Sequence, residues 1–364
     1  MDGKADFGGV FSREGGLRQM PWWDVQKHAD RRPLLSLRGR IKSGLRAWFE
    51  VRDFTEVECG ILGVSPGNEA HLHAFETRRI RSDGSGQALY LHTSPEFGAK
   101  KLLAAGETRI FEFARVFRNR ERTRLHAPEF TMLEWYRAHE EVEAVMADTL
   151  ALTRAAAEIA GRGHLIHRDR ECDPFAEAER LSVADAFRIH AGVEILDTLD
   201  ERGNGDRDLF ATRAKRGGFS IAAEDGWSDI FFKVLTAAIE PRLGQERLTL
   251  LTDYPRSEAA LALPKPSDPR LSQRFELYGC GVELANGFGE LTDPMEQRQR
   301  FEAEMAEKQR IYGERYPLDE DFLAALSHMP NASGVALGFD RLVMLAAGAP
   351  QIDDVLWTPL LPDP

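Results

Sequence analysis

The 364-residue sequence has few cysteines, no long apolar run and no net positive charge. Its three cysteines, Cys59, Cys172 and Cys280, are isolated and form no Cys-x-x-Cys pair, which argues against a disulfide framework and against a zinc site. No apolar stretch approaches the ~20 residues of a membrane span, and the first residues contain no apolar signal-peptide core. We therefore expect a globular cytoplasmic protein that has no contact with a membrane.

The charge balance argues against a protein that binds long nucleic acids without regard to sequence. The formal net charge is -12, whereas such binding depends on clustered lysine and arginine. A local basic patch is still compatible with this charge, because several arginines are concentrated between Arg115 and Arg124. The functional question is whether these arginines face a small anion or a macromolecule.

Composition and periodicity divide the chain into three parts. Residues 1–20 are rich in glycine and charge and predict a mobile N-terminal arm. Residues 21–350 have enough apolar content for one folded domain, within which 162–228 predicts a loop and helical insertion. Residues 351–364 are expected to form a C-terminal tail. No internal repeat is present.

Helices and strands alternate along the folded part. Apolar positions at helical spacing predict a helix over 34–52, followed by a short strand over 54–58. A further strand over 88–95 leads into a helix over 96–105, where Ser94 can act as the cap. These elements place Glu96 at a corner between a strand and a helix.

A charged hairpin is the most informative stretch of the sequence. Two apolar runs, 110–116 and 130–136, predict paired strands that flank a loop rich in arginine and carrying a histidine. Arginine presents a fork of donors that matches phosphate or carboxylate oxygens two at a time. Further along, ANGFGELTD predicts a turn, and GVALGFDRLVML predicts a strand, a glycine break and a helix.

The segments FRNRE, RLHAPEFTMLEWY, GVELANGFGELTD and GVALGFDRLVML resemble the catalytic core of class II aminoacyl-tRNA synthetases, and among them the lysyl enzymes. The resemblance extends from about Pro21 to Gly348. It implies an α+β fold in which an antiparallel β-sheet is flanked by helices. The first predicted helix and strand resemble the dimer-forming motif of that family, although Gly60 replaces the family's proline. A homodimer is therefore expected.

The resemblance implies a site for ATP and Mg²⁺. Arg118 corresponds to the arginine of the α-phosphate, Arg341 to that of the γ-phosphate and His126 to a loop residue that reaches the triphosphate, and these three are the expected catalytic residues. Cations suit this role because both reactants are anions. Glu276 and Glu283 correspond to magnesium ligands. The remaining residues implied in ATP binding are Asn119, Arg120, Glu283, Leu284 and Gly338.

Simpler structural roles are open for several of these residues. Arg341 could form an ordinary salt bridge on a helix surface, and two glutamates seven residues apart are solvated in most proteins. Arg120 departs from the family, which has a glutamate there, and arginine cannot accept a hydrogen bond from an adenine amino group. Either Glu121 or a backbone carbonyl takes over that contact, or the site is impaired.

The resemblance also implies a pocket for lysine. Glu96, Tyr136 and Glu290 would give an ammonium group two countercharges and a hydroxyl, and Glu134 suits the α-amino end or the arginine network. An alanine at position 336, where lysyl-tRNA synthetases usually have glycine, either selects a β-amino acid or simply packs in the strand. The other residues implied in substrate binding are Ser94, Pro95, Asn286 and Ala336.

Only about 30 residues precede the first motif helix, so no anticodon-binding domain is expected and tRNA is not an expected partner. The chain resembles the stand-alone lysyl-tRNA-synthetase-like ligases that attach lysine or (R)-β-lysine to a lysine of elongation factor P. The expected activity is ATP-dependent formation of an aminoacyl adenylate and its transfer to that protein. Two alternatives are a truncated synthetase acting on tRNA or a free amino acid, and a catalytically silent regulatory paralogue.

Overall fold

The computed structural model describes residues 21–360, so the arm predicted over 1–20 lies outside the described residues. The strands of its main sheet are β1 Thr55–Glu56, β5 Arg109–Phe117, β6 Glu129–Ala138, β9 Glu179–Ser182, β10 Thr249–Pro255, β11 Pro264–Lys265, β12 Asp268–Gly279, β13 Val282–Gly289 and β14 Ala332–Gly338. Their order in the sheet is β1-β5-β6-β14-β13-β12-β10-β9, with β11 paired to β12. Smaller sheets contain β2 Leu62–Gly63, β3 Phe75–Ile80, β4 Gly86–Leu91, β7 Leu165–His167 and β8 Arg170–Cys172.

Helices cover the main sheet. They are α1 Val25–Glu50, α2 Glu96–Ala104, α3 Val142–Ala160, α4 Val183–Ala191, α5 Arg207–Arg216, α6 Trp227–Val234, α7 Pro294–Tyr312, α8 Glu320–Leu326 and α9 Phe339–Ala347. All pairings within the main sheet are antiparallel except the two at its ends, β1 with β5 and β9 with β10. The predicted α+β fold with an antiparallel sheet flanked by helices is therefore confirmed.

The two faces of the sheet have different roles. Trp135 and Val335 belong to a buried apolar core that also contains residues of α1, α3 and α9. Because side chains alternate between the faces of a strand, their neighbours Glu134 and Ala336 point to the opposite face. The core thus fixes which polar residues of β6 and β14 are presented on the other side.

Three details of the predicted elements are wrong. The first helix begins at Val25 and includes Pro33, because tertiary contacts hold its early turns: Arg31 donates to the backbone oxygens of Asp353, at 2.9 Å, and of Leu356. The ANGFGELTD segment is not a turn, since its first five residues continue β13 beside β14. The prediction of 162–228 as a loop and helical insertion omits the strands that this range contains.

The insertion packs into a second apolar cluster, which it shares with α6 and with strands β10 and β12 of the main sheet. It contributes β7, β8, β9, α4 and α5 and begins α6, and its buried cluster includes Phe187, Phe210 and Phe231.

Residues 351–360 of the predicted tail pack onto the domain, where Ile352 and Val355 are buried. Within residues 21–360, no helix has both the length and the apolar character needed to cross a membrane.

Candidate active site

A cavity of about 720 Å³ opens on the face of the sheet opposite the α1–α3–α9 core. Below it, strand register aligns four residues: Glu134 lies opposite Ala336, Ala336 opposite Asn286, and Asn286 opposite Glu276. They form one row across β6, β14, β13 and β12, and the last three of them line the cavity. The predicted site residues that line the cavity are Ser94, Glu96, Arg118, His126, Glu276, Glu283, Leu284, Asn286, Ala336, Gly338 and Arg341.

Arg118 is a cation available to a ligand in the cavity. It directly follows β5, and its amide donates to the carbonyl of Pro128 across the base of the hairpin loop at 2.9 Å. The guanidinium carbon lies 5.3 Å from the centre of the Phe130 ring. Within the described residues no carboxylate forms a salt bridge with Arg118. Its charge is consequently available to an anion.

Arg341 and His126 form a second polar group. The Arg341 guanidinium donates to the Glu283 backbone oxygen at 2.9 Å and lies 2.6 Å from His126 Nε2. Burial, followed by the charge of Arg341, lowers the pKa of His126 to about 4. The imidazole is therefore neutral near pH 7, accepts from Arg341 through Nε2 and carries its proton on Nδ1, 2.7 Å from the Thr123 hydroxyl.

Arg120 points away from the cavity. Its φ of 66° is left-handed, and its guanidinium pairs with Glu314 on the protein surface. Asn119 does not line the cavity either; its side chain accepts from the Arg120 amide at 2.9 Å. Glu121, by contrast, does line it. The backbone turn at Arg120 thus presents the next residue, a hydrogen-bond acceptor, in place of the missing glutamate.

Three glutamates gather near Arg341. Glu276 is buried and accepts from Arg274 and Tyr278, each at 2.6 Å, while Glu283 contacts Arg341. Glu240, which belongs to no motif, lines the same region, and burial together with Glu276 and Glu283 raises its pKa to about 7. No described cluster of three or more His, Cys, Asp or Glu has the arrangement of a complete metal site.

Glu134 lies behind the cavity wall rather than on it. Its two oxygens accept from the Ser94 hydroxyl at 2.7 Å and from the Tyr136 hydroxyl at 2.6 Å. Burial, followed by the charge of Glu96, raises the pKa of Glu134 to about 8. The carboxyl is thus close to its titration point near neutral pH and is linked to the cavity through Ser94.

A buried lysine already contacts two of the predicted lysine-binding glutamates. Lys100 Nζ lies 2.5 Å from Glu96 and 2.6 Å from Glu290, and its side chain is fully buried. Burial opposes its charge, but the attraction of Glu290 and Glu96 raises its pKa overall. When both carboxyls are ionised, the two carboxylates and one ammonium carry a single net negative charge. In the sequence, the i,i+4 spacing of Glu96 and Lys100 on the predicted helix is the signal that could have indicated this ion pair.

Tyr136 and Glu290 are also buried behind the wall, beside a glycine. A Cβ on Gly334 would lie 2.3 Å from the Tyr136 ring and 2.5 Å from a Glu290 oxygen, so only glycine lets both side chains approach β14. Pro95 precedes α2 and does not line the cavity. The cavity is therefore lined by cations and acceptors, with a buried carboxylate network at one end.

Comparisons with known proteins identify the family of this chain. The family model for tRNA synthetases class II (D, K and N) matches residues 17–361. An elongation factor P–(R)-β-lysine ligase of Salmonella arizonae is 39% identical over 327 residues, 89% of this chain and 94% of that protein. The ligase of the same name from Edwardsiella ictaluri is 38% identical over 322 residues, 88% and 92% of the two chains. The chain therefore belongs to the class II tRNA synthetase family.

Proposed function

We propose that this protein activates lysine or (R)-β-lysine with ATP and transfers it to a lysine of elongation factor P. The observation that carries the proposal is the shared cavity, in which Arg118 and Arg341 lie beside the row that runs from Glu134 to Glu276. Cations for a triphosphate and carboxylates for an ammonium group meet there. The names of the relatives support the choice of acceptor and amino acid.

In the first step a carboxylate oxygen of the amino acid attacks the α-phosphorus of ATP. The new P–O bond forms as the bond to pyrophosphate breaks, giving an aminoacyl adenylate. Arg118 stabilises charge on the α-phosphate and Arg341 on the γ-phosphate, while neutral His126 holds the Arg341 guanidinium in position. Glu121 accepts from the adenine amino group, the role that Arg120 cannot fill.

The carboxylates near Arg341 fit a hard divalent cation. Glu276 and Glu283 line the cavity, and the pKa of the neighbouring Glu240 is raised by burial and by these two charges, so cationic charge is favourable there. Carboxylate oxygens together with phosphates are the ligands that Mg²⁺ prefers. The ion would be held by Glu276 and Glu283 and would supply neutralisation of phosphate charge.

In the second step the neutral ε-amine of the acceptor lysine attacks the carbonyl carbon of the adenylate. The C–N bond forms, the bond to AMP breaks, and a phosphate oxygen of the leaving AMP takes up the proton that the amine loses. The methyl group of Ala336 lines the cavity between Glu134 and Asn286 in the strand row. We propose that it narrows the space beside the carboxylate end and so favours a β-amino acid over α-lysine.

Mass spectrometry of elongation factor P incubated with enzyme, ATP and each lysine isomer tests this function. The expected result is a mass increase of one lysine residue on a single lysine, greater with (R)-β-lysine than with α-lysine. Robust aminoacylation of lysine tRNA without labelling of elongation factor P would instead favour a truncated synthetase. Absence of pyrophosphate exchange with every isomer would favour a silent paralogue.

A homodimer is proposed through the region of β1 and β2. Ile61, Leu62 and Val64 are 40%, 55% and 43% exposed, and β1 lies at an end of the main sheet. Leu62→Glu should convert the dimer to a monomer in light scattering, because it places a charge in an apolar interface. Ile189→Glu, at an exposed apolar position on α4, is the control. A Leu62→Glu protein that remains dimeric would contradict this interface.

The KM for the lysine substrate should fall as the pH is raised from about 6 to about 8. Burial raises the pKa of Glu134 to about 8 and that of Glu290 to about 7, so both carboxyls gain negative charge over this interval and attract an ammonium group more strongly. The KM for ATP should change less. Pyrophosphate exchange at several pH values measures both, with Glu134→Gln as the variant that cannot ionise. An amino-acid KM independent of pH would refute this prediction.

A further inference from the structure

The carboxylate of Glu69 lines the cavity and is not used by the site described so far. Within the described residues it makes no hydrogen bond and no salt bridge. The glutamates at the amino-acid end differ in this respect. Lys100 contacts Glu96 and Glu290, and Ser94 and Tyr136 donate to Glu134. Glu69 is therefore a carboxylate whose acceptor capacity is still available to a ligand.

The loop that carries Glu69 is fixed from both sides. The fully buried Lys308 ammonium donates to the backbone oxygens of Ala70, at 3.0 Å, and Leu72, at 2.7 Å. The Ala70 amide in turn donates to a Glu304 oxygen at 2.8 Å. Because the residue after Glu69 is held through both its amide and its carbonyl, the Glu69 backbone is positioned before any ligand binds. Such preorganisation reduces the entropic cost of recognition.

The charges around Glu69 place it between the two ends of the proposed substrates. Burial raises its pKa, and the like charge of Glu96 adds to that effect, while Arg118 and Arg274 oppose it. Glu96 belongs to the amino-acid end and Arg118 to the α-phosphate. An unpaired carboxylate in such a partly desolvated position is costly by itself. A cationic group of a ligand would remove this cost.

Glu240 provides the contrast. It also lines the cavity, but the charges that act on it are those of Glu276, Glu283 and Arg341. It belongs to the end that would hold the cation and the outer phosphates. Glu69 therefore faces the place where the amino acid meets the α-phosphate, whereas Glu240 does not.

We propose that Glu69 binds the ammonium group nearest the reacting carboxylate of the amino acid, and so acts as a specificity-determining residue. This inference rests on the proposed function. The reacting carboxylate must lie beside the α-phosphate and hence near Arg118, and an α- or β-ammonium is only two or three bonds from it. The ε-ammonium then binds at the end of the site formed by Glu96, Tyr136 and Glu290.

Substrate analogues test which ammonium group Glu69 recognises. Removing the amino group nearest the carboxylate from either lysine isomer gives 6-aminohexanoate, whereas removing the ε-amino group gives 2- or 3-aminohexanoate. Titration calorimetry gives the affinity of each compound for the full-length protein, and pyrophosphate exchange gives KM for the amino acid and for ATP. Glu69→Gln keeps the shape of the side chain and removes its charge.

Glu69→Gln should weaken binding of the diamino acid by about tenfold or more, the loss expected for a hydrogen bond to a charged group. Binding of 6-aminohexanoate should change by less than about twofold. The KM for ATP should be unaffected. Glu307→Gln is the matched control, because Glu307 lines the same cavity but pairs with Arg310; it should resemble the wild type.

Three results would overturn the assignment of Glu69. An equal loss for the diamino acid and 6-aminohexanoate would indicate a general structural effect, a loss confined to ATP would indicate a role through Arg118, and unchanged affinity for all compounds would exclude any role. Failure of the proposed function has a different signature. In that case the wild-type protein itself shows no exchange with any lysine isomer, whatever the behaviour of the variant.

Discussion

Replacing Arg118 or Arg341 by alanine is expected to lower amino-acid-dependent pyrophosphate exchange by on the order of a hundredfold or more in each case. Both guanidinium groups line the cavity, and Arg118 has no salt-bridge partner among residues 21–360. Their charges are held in position before the reaction begins. They therefore stabilise charge in the transition state without the reorganisation that water molecules would need. The measurement is the rate of exchange at saturating lysine isomer and ATP.

Arg120→Ala is the matched control for Arg118→Ala. It removes the same charge two residues away, but its side chain is 54% exposed and pairs with Glu314, so exchange should remain within a few-fold of the wild type. If Arg118→Ala and Arg341→Ala both kept near-normal exchange, the assignment of the phosphate site would be wrong. If Arg120→Ala alone abolished exchange, the role given to Glu121 would have to be abandoned.

The second large effect is expected from Lys100→Met. Removing the buried ammonium leaves Glu96 and Glu290 facing each other without a cation, and loss of one partner from a buried ion pair costs about 3–5 kcal/mol. The free energy of unfolding from urea titrations should fall by this amount at pH 7. Lysine-dependent exchange should also fall, because the two carboxylates lose the cation that fixes their positions.

The loss of folding stability in Lys100→Met should depend on pH in one direction. Burial already raises the pKa of Glu290 to about 7, and the charge of Lys100 opposes that rise. Without Lys100 the pKa of Glu290 should rise further, so the folded variant holds a proton that the unfolded chain releases. Such a variant loses stability as the pH rises above the unfolded value, and its deficit should be smaller near pH 5 than near pH 8. A deficit that does not change with pH would contradict the charge explanation.

Lys101→Met is the control for this stability measurement. The neighbouring lysine is partly exposed and pairs with Asp319 and Asp321, so its loss should cost no more than about 1 kcal/mol. Comparable losses for the two variants would show that the cost arises from the helix position rather than from the buried pair. Both substitutions replace lysine with a side chain of similar length, which keeps the comparison matched.

Local patterns predicted much of the fold. The two strands of the hairpin and helix α2 lie within one or two residues of the predicted bounds, because period-two and helical patterns, caps and glycine breaks act over short distances. The start of α1 was missed because it depends on contacts between Arg31 and the C-terminal residues. The strands within the predicted insertion were missed because they are short and because β9 pairs with β10, which is distant in sequence.

The candidate site was predicted in part. Motifs identified Arg118, Arg341 and His126, which the structure brings to one cavity. Composition and spacing could not show that Arg120 points outward, since its direction depends on a left-handed backbone conformation and on Glu314. Nor could they show that Glu69 has no hydrogen-bond or salt-bridge partner among the described residues, because that property is defined by all of its neighbours.

By itself, the sequence determined the helix and strand patterns, the charged hairpin and the family resemblance, all of which depend on residue types at short, fixed spacings. Only the tertiary structure decided the row from Glu134 to Glu276, since register between strands is set by core packing on the opposite face. It alone also decided that Lys100 contacts two glutamates, one of them 190 residues away in sequence. Charges interact through space, and the fold sets which of them meet.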